Sequence, residues 1–413
     1  MAIDFTLTDQ QRKLRHDARA FAADVLTTAA AAELLPEPEQ RFLATRPVYE
    51  AMVAAGFLRK CVGFAANESG GLMELAIVAE EFYSVNASVA LTLFGTVLGL
   101  MPIQRGGTPD QRDRLLSPFL ATHGAPLAAF CSTEPGGSAN AGAPPPGEGV
   151  RTVAKRDADR WIIDGRKKWI SSATGWERSS ADLLCVVCRT DPDAPPERGI
   201  SVIAVEGPAS GVMLERAIDS VGHRAHLLPE FRLDGVTAPA RNLIGEEGRG
   251  LALTAASFAG SGALVGMFAV GLMRTAFDFT LKFAQTERRG GIVPIIEHQA
   301  VGYALADARI ALESVRLMSW RGCHAADTRS ADAVELDIYA KVHGAETAVR
   351  VITELMRVVG VDSYDYALPL GGLLRDALAL PVFGGGNLGV RRRQLHALLK
   401  APDYDPLRTA GGA

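Results

Sequence analysis

Two short stretches constrain this chain more than anything else in it: Phe130-Cys131-Ser132-Thr133-Glu134-Pro135-Gly136-Gly137-Ser138 and Lys168-Trp169-Ile170-Ser171-Ser172. Each runs from strand-forming apolar or aromatic residues into small hydroxyl residues, joined in the first by glycines. Such endings let a backbone offer N–H and O–H donors to a flat polar heterocycle while an indole covers one face. The pair predicts a cradle for a flavin-like ring.

The chain around that pair changes texture twice. Residues 7–125 carry apolar positions at helical spacing: Thr8-Asp9-Gln10-Gln11 has the form of a capping box, followed by Leu14, Ala18, Phe21, Ala22, Val25 and Leu26. The stretches 48–55 and 71–83 continue the pattern, and 87–100 is apolar all round, as in a helix buried between others. Glu80 and Glu81 read as solvated or locally paired carboxylates, because adjacent helical residues do not share a face. From 126 to 239, short β-rich runs alternate with turn residues, and Asp164-Gly165 predicts a hairpin turn. The loop 141–149, with three consecutive prolines, is expected to be exposed and mobile. Residues 241–400 return to helix over 251–286, 296–328, 331–359 and 388–399, whose short connections imply a bundle. A loose tail follows.

Bulk properties exclude several functions. A net charge of −4 leaves no footprint for nucleic acid or an anionic membrane. The N-terminus has no charged and apolar signal regions, and the apolar run 263–273 is punctuated by glycines and reads as a buried helix rather than a membrane span. Five cysteines, an odd number, argue for reduced thiols in the cytoplasm. Cys185 and Cys188 have the spacing of a redox or zinc motif, but on a strand they point to opposite faces and read as buried small side chains. No metal site is expected.

Thr133-Glu134-Pro135-Gly136, then Trp169-Ile170-Ser171, then Ala181-Asp182, together resemble the acyl-CoA dehydrogenase family of FAD enzymes over residues 5–400. The resemblance implies an α+β fold: an N-terminal α-helical domain (1–125), a middle β-barrel domain (126–240), a C-terminal four-helix bundle (241–400) and the tail 401–413. FAD would lie between barrel and bundle with its adenine end reaching a neighbouring subunit, hence a homodimer or homotetramer. Phe130, Ser132, Thr133, Gly137 and Ser138 match the first flavin-contacting segment, and Trp169 and Ser171 the second. Arg288 matches the diphosphate contact, where a planar guanidinium fork donates two parallel hydrogen bonds. Gln299 matches the adenine side and Gly360 the adenosine turn, while Gly385 and Asn387 fall on the flavin-facing loop. Residues 384–389 satisfy G-x-G-x-x-G, but without a preceding strand or a βαβ unit they exclude a Rossmann reading.

One part of the family pattern is missing. A dehydrogenase of this kind needs a carboxylate over the carbon next to the substrate carbonyl, since that C–H does not ionise unaided. The two positions at which the family places this glutamate correspond to Gly384 and Ser261. Glu247, Asp278 and Asp362 are the replacement candidates nearest in sequence. His223 and His226 are further candidates, while Arg391-Arg392-Arg393 reads first as a solvated basic turn and second as a contact for a substrate or cofactor anion. The expectation is an FAD-dependent oxidoreductase acting on an acyl thioester or β-keto acid, on CoA, on a carrier protein or free. Dehydrogenation would be coupled to decarboxylation or to oxygenation in a monooxygenase reaction, as in the epoxyketone-forming members that serve specialised-metabolite biosynthesis. The rivals are an ordinary acyl-CoA dehydrogenase with a relocated base and an inactive flavoprotein scaffold.

Overall fold

The structure, a computed structural model, describes residues 5–68, 70–144 and 146–410. Readings made on residues 1–4, on position 145 of the proline loop and on the last three residues of the tail lie outside them.

Thr8 builds the capping box expected of it: its hydroxyl accepts from Gln11 N at 3.2 Å, and Gln11 Oε1 accepts from Thr8 N at 3.0 Å. The helix it starts, Asp9–Asp24, buries Leu14, Ala18 and Ala22, the stripe that the periodicity marks. Helices Leu72–Tyr83 and Ala87–Gly106 are buried almost all round. The second of these and the stretch Gly250–Thr286 are long and apolar enough to cross a membrane, yet 83% and 72% of their apolar windows are buried inside the fold.

The middle of the chain forms eight strands: β1 (Ala128–Cys131), β2 (Val153–Asp157), β3 (Arg160–Lys168), β4 (Leu183–Arg189), β5 (Ile200–Glu206), β6 (Val212–Ala217), β7 (Pro229–Pro239) and β8 (Leu243–Ile244). They make one mixed sheet in the order β6-β7-β3-β2-β4-β5-β8, with β1 parallel to β4. Asp164-Gly165 is not a hairpin turn. It lies within β3 at a register shift against β7, and a Cβ on Gly165 would come within 2.5 Å of the Thr152 hydroxyl, so the glycine marks a close approach. The turn between β2 and β3 instead falls at Ala158, in the left-handed region at φ 54°.

In the C-terminal part the apolar stretch 251–286 is broken by Gly260, whose φ of 81° separates Gly250–Ser257 from Ser261–Thr286. The helices Ser261–Thr286, Gln299–Asp327 and Ala333–Val359 pack on one another. They cross so closely that a Cβ on Gly344 would lie 2.9 Å from Gly266 Cα. A helix the periodicity did not mark, Pro369–Ala379, packs against the first and third, and the short Arg392–Leu399 buries no residue of its own. Helix Leu72–Tyr83 packs on the first two bundle helices. Its Glu80 and Glu81 are buried, not solvated. Arg274 reaches both at 2.7 Å and Arg316 reaches Glu80 at 2.9 Å. Burial opposes the charge on Glu80, but the Arg316 guanidinium outweighs it and the carboxyl titrates below its ordinary range.

Candidate active site

The first of the two stretches expected to face a flavin leaves β1 through Phe130 and turns at Gly137, which adopts φ 83°. Glu134 fixes that turn. Its buried carboxylate accepts from Arg151 N (2.8 Å), Thr152 N (3.0 Å), Thr152 Oγ1 (2.6 Å) and the fully buried Lys167 Nζ (2.9 Å). Burial pushes this carboxyl up, and the adjacent ammonium more than reverses the shift. The second stretch docks on the first where Lys168 N donates to Thr133 O at 3.1 Å. Trp169 follows in the left-handed region (φ 63°) and is 50% exposed. For a bulky residue that conformation is strained, and such strain is concentrated at ligand clamps.

Beyond the indole, Ser171 Oγ lies 3.1 Å from His226 Nε2, and His226 Nδ1 lies 2.9 Å from Thr92 Oγ1. Burial depresses His226 to about 3, so it is neutral and serves as a positioned hydrogen-bond partner. Ser172, at φ 52°, and Thr174 are buried with hydroxyls that have no partner in the protein. Partly met strands, an open glycine turn, unpartnered hydroxyls and an exposed indole suit a flat polar ring, so these residues fit FAD. Ser132 and Thr133 are half-buried, while Gly137 and Ser138 are exposed.

The opposing wall is the loop Phe383–Arg391. Gly384 and Gly385 both have positive φ, 60° and 75°. Arg391 is buried and closes the loop on itself: its Nη2 donates to Gly384 O at 3.1 Å and to Ser261 Oγ at 3.2 Å, while Nη1 reaches Asp337 Oδ2 at 3.4 Å. The run is thus split: Arg391 is buried, while Arg392 and Arg393 stay exposed as a solvated turn would have them. Arg392 pairs with Glu346 at 2.6 Å and Arg393 donates to Ala139 O, which ties this loop to the sheet wall. The walls also meet through Phe130, whose ring lies 5.2 Å from that of Phe258, the residue whose carbonyl accepts from Ser261 Oγ at 2.7 Å. Asn387, expected near the cofactor, turns its side chain inward instead. It accepts from Lys341 Nζ at 3.0 Å and donates to Glu346 at 3.2 Å, holding the loop to the third bundle helix.

Asp337 and Lys341, both on that helix, escaped sequence reading because they sit on its otherwise apolar buried face; only a charge at a core position signalled them. Burial pushes Asp337 up and lowers Lys341 to about 7, with Arg391 adding to the latter shift. The three replacement bases proposed from sequence are not in the cluster: Glu247 and Asp278 are exposed, and Asp362 pairs with Arg289 at 2.8 Å.

Next to Phe383 lies an aromatic cluster in which Tyr83 and Phe268 stack at 4.1 Å and His223 packs 5.8 Å from Tyr83 and 6.2 Å from Phe383. Tyr83 Oη and His223 Nε2 are buried without partners. Asp376 accepts from His223 N at 2.6 Å, and burial raises its carboxyl to about 6 while lowering His223 to about 4. The adenosine-side residues form a separate turn: Arg288 donates to Ile292 O at 2.6 Å, Gln299 to Tyr303 Oη, and Arg289 bridges to Asp362 beside Gly360. Arg288, Gln299 and Gly360 are exposed. All five cysteines are buried free thiols, Cys131 and Cys188 pushed up to about 12 by that burial, and the described residues contain no metal-ligating cluster.

A helical flank, a mixed sheet and a helical bundle meeting around a strained tryptophan and a glycine loop define a flavoenzyme architecture. Profiles of the acyl-CoA dehydrogenase N-terminal, middle and C-terminal domains match residues 8–123, 129–236 and 248–399, and the chain belongs to that family. It is accordingly an FAD-dependent oxidoreductase. It is 39% identical to nitroalkane oxidase from Podospora anserina over the full length of both chains, and 34% identical to that of Fusarium oxysporum over 100% of this chain and 98% of the other. A short-chain acyl-CoA dehydrogenase from Sus scrofa is 28% identical over 92% of this chain and 87% of its own. The solved Podospora anserina nitroalkane oxidase superposes with a TM-score of 0.94 at 38% identity, covering 100% of both chains. An active-site aspartate-to-asparagine variant of nitroalkane oxidase, crystallized with 1-nitrooctane, superposes at 0.95 and 33% identity, again covering 100% of both chains. Another nitroalkane oxidase structure addresses the roles of that aspartate and of an arginine seven positions after it.

Proposed function

We propose that this protein is a flavin-dependent oxidase of small carbon acids of the nitroalkane class, working as a homo-oligomer with O2 as electron acceptor. The observation that carries the reading is the loop Phe383–Arg391, considered with the full-length likeness to nitroalkane oxidases. Arg391 follows Gly384 by the same seven positions that separate the arginine and aspartate of that relative, and it bonds back to Gly384 O and Ser261.

FAD bound in the cleft would supply two-electron oxidation. The chain's own residues bind and orient. Trp169 covers the ring, the backbone and hydroxyls of Ser132, Thr133 and Ser171 meet its polar edge, and Glu134 with Lys167 keeps that edge rigid. Tyr83, Phe268 and Phe383 give an apolar reception for an alkyl tail, and His223 Nε2 and Tyr83 Oη offer polar contacts within it. Arg288 and Gln299, exposed on one chain, would complete the cofactor's diphosphate and adenine side against a second copy. Decarboxylation and oxygen insertion, expected from sequence, are set aside in favour of this reading because the place of Arg391 seven positions after Gly384 and the full-length relatives favour oxidation of a carbon acid.

Reconstitution with FAD and assay with nitroalkanes, added both neutral and as preformed anions, with butyryl-CoA and with β-keto acids tests the reading. O2 uptake with nitrite release from a nitroalkane is expected. Anaerobic flavin bleaching by butyryl-CoA alone would replace the reading with ordinary acyl-CoA dehydrogenation, and no bleaching by any of them with FAD bound would leave the inactive scaffold.

A further inference from the structure

Resting on that reading, the geometry points to a site that takes its carbon acid already ionised, as a nitronate, and does not itself remove the proton. Position 384 has no side chain, and its surroundings are those of a deleted one. A Cβ placed there would meet only Lys341 Cε and Val265 Cγ2, each at 3.7 Å, ordinary contact distances, so the space for a side chain persists. Its φ of 60° is one that aspartate and asparagine tolerate better than most residues. Arg391, a guanidinium suited to a carboxylate, spends its donors on Gly384 O, the Ser261 hydroxyl and Asp337.

Among the described residues no neighbouring group is free to replace the missing acceptor, and Asp376 is held with His223, accepting from its backbone N at 2.6 Å. Asp337 is 5% exposed and already accepts from Ala263 N at 2.9 Å and from Arg391. Lys341 is fully buried and donates to Leu380 O at 2.5 Å and to Asn387. Glu346 is bound to Arg392 and Asn387. His223 lies beyond the Phe383 ring, and burial makes it too weak a base for the task. What remains next to the bare backbone is the Arg391 guanidinium, which donates to Gly384 O and suits an anionic substrate.

The reaction balances without a protein base. Bound FAD would accept two electrons from the nitronate, and water would add at its carbon. The C–N bond breaks with release of nitrite, leaving an aldehyde, and O2 takes the two electrons with two protons to become hydrogen peroxide. A preceding reaction that ionises or delivers the nitro compound as its anion would supply the substrate.

The test uses the FAD-loaded protein with a nitroalkane added either neutral or as its preformed anion from an alkaline stock. Nitrite release, O2 uptake and anaerobic flavin bleaching are followed for wild type, Gly384→Asp and Gly384→Asn. Wild type is expected to favour the anion by at least ~10²-fold, its rate with aged neutral substrate following the ionised fraction. Gly384→Asp is expected to raise the neutral-substrate rate by ~10²–10⁴-fold, with Gly384→Asn, equal in shape but without a base, giving no rise. Neutral substrate used by wild type as fast as anion overturns this inference and leaves the oxidase reading standing. So does a Gly384→Asp protein that keeps flavin and anion turnover yet gains nothing. Bleaching by neither form in any flavin-loaded variant overturns both.

Discussion

The two walls of the cleft have been treated differently. The sheet wall keeps a strained, half-exposed tryptophan over a turn locked by the buried Glu134–Lys167 pair. The bundle wall keeps an equally elaborate scaffold, in Arg391, Asp337, Lys341 and Asn387, but supports a bare glycine. On the proposed reading, strain retained on one side and a side chain missing on the other make binding a redox ring and moving a proton separable duties of this fold. The first depends on backbone geometry spread over many residues, the second on one functional group.

The largest effect that would sharpen the contrast is on the sheet wall. Glu134→Ala leaves Lys167 buried and uncompensated and should cost ~3–5 kcal/mol of stability in denaturant unfolding, with FAD binding lost. A cost under ~1 kcal/mol would show that the turn is not held as described.

The next test sits between the walls. His223 and His226 titrate near 4 and 3 when folded, against 6.5 for the unfolded side chain, so below about pH 6.5 the unfolded chain binds two protons that the folded one refuses. Asp376, raised to about 6, works in the opposite sense: below that pH the folded chain binds a proton that the unfolded chain, at 3.8, does not. Between these three groups, about one proton net favours unfolding near pH 5, and they should contribute a loss of ~1.4 kcal/mol of stability per pH unit of acidification there. Unfolding curves at pH 5, 6 and 7 measure the slope, and His226→Asn should flatten it.

The smallest effect has two signs. Trp169→Gly relaxes a left-handed backbone and should leave the free protein as stable or more so, yet lost stacking of ~0.5–1.5 kcal/mol should weaken FAD binding by roughly 2–12-fold in a titration. Unchanged affinity would remove the indole from the cofactor site.

Sequence alone marked the two stretches of the sheet wall, and the structure joins them through Lys168 N to Thr133 O. It also carried the vacancy at Gly384. It failed where pairing decides. Glu80, Glu81 and Arg391 look solvated in one dimension and are buried because charged partners from distant helices meet them, while Arg392 stays exposed yet paired. Asp164-Gly165 has the letters of a turn, but the approach of Thr152 makes it a bulge within a strand. Helix Pro369–Ala379 carries paired glycines that hide its period, and Gly260 ends a helix inside an unbroken apolar run.

The claim that the cleft has a redox wall but no proton acceptor is tested most directly without turnover. The FAD-loaded protein is held anaerobically with a neutral nitroalkane in D2O, and exchange of the carbon-bound proton next to the nitro group is followed by NMR. The account predicts exchange no faster than in buffer for wild type and accelerated exchange for Gly384→Asp. Accelerated exchange by the wild-type protein would contradict it.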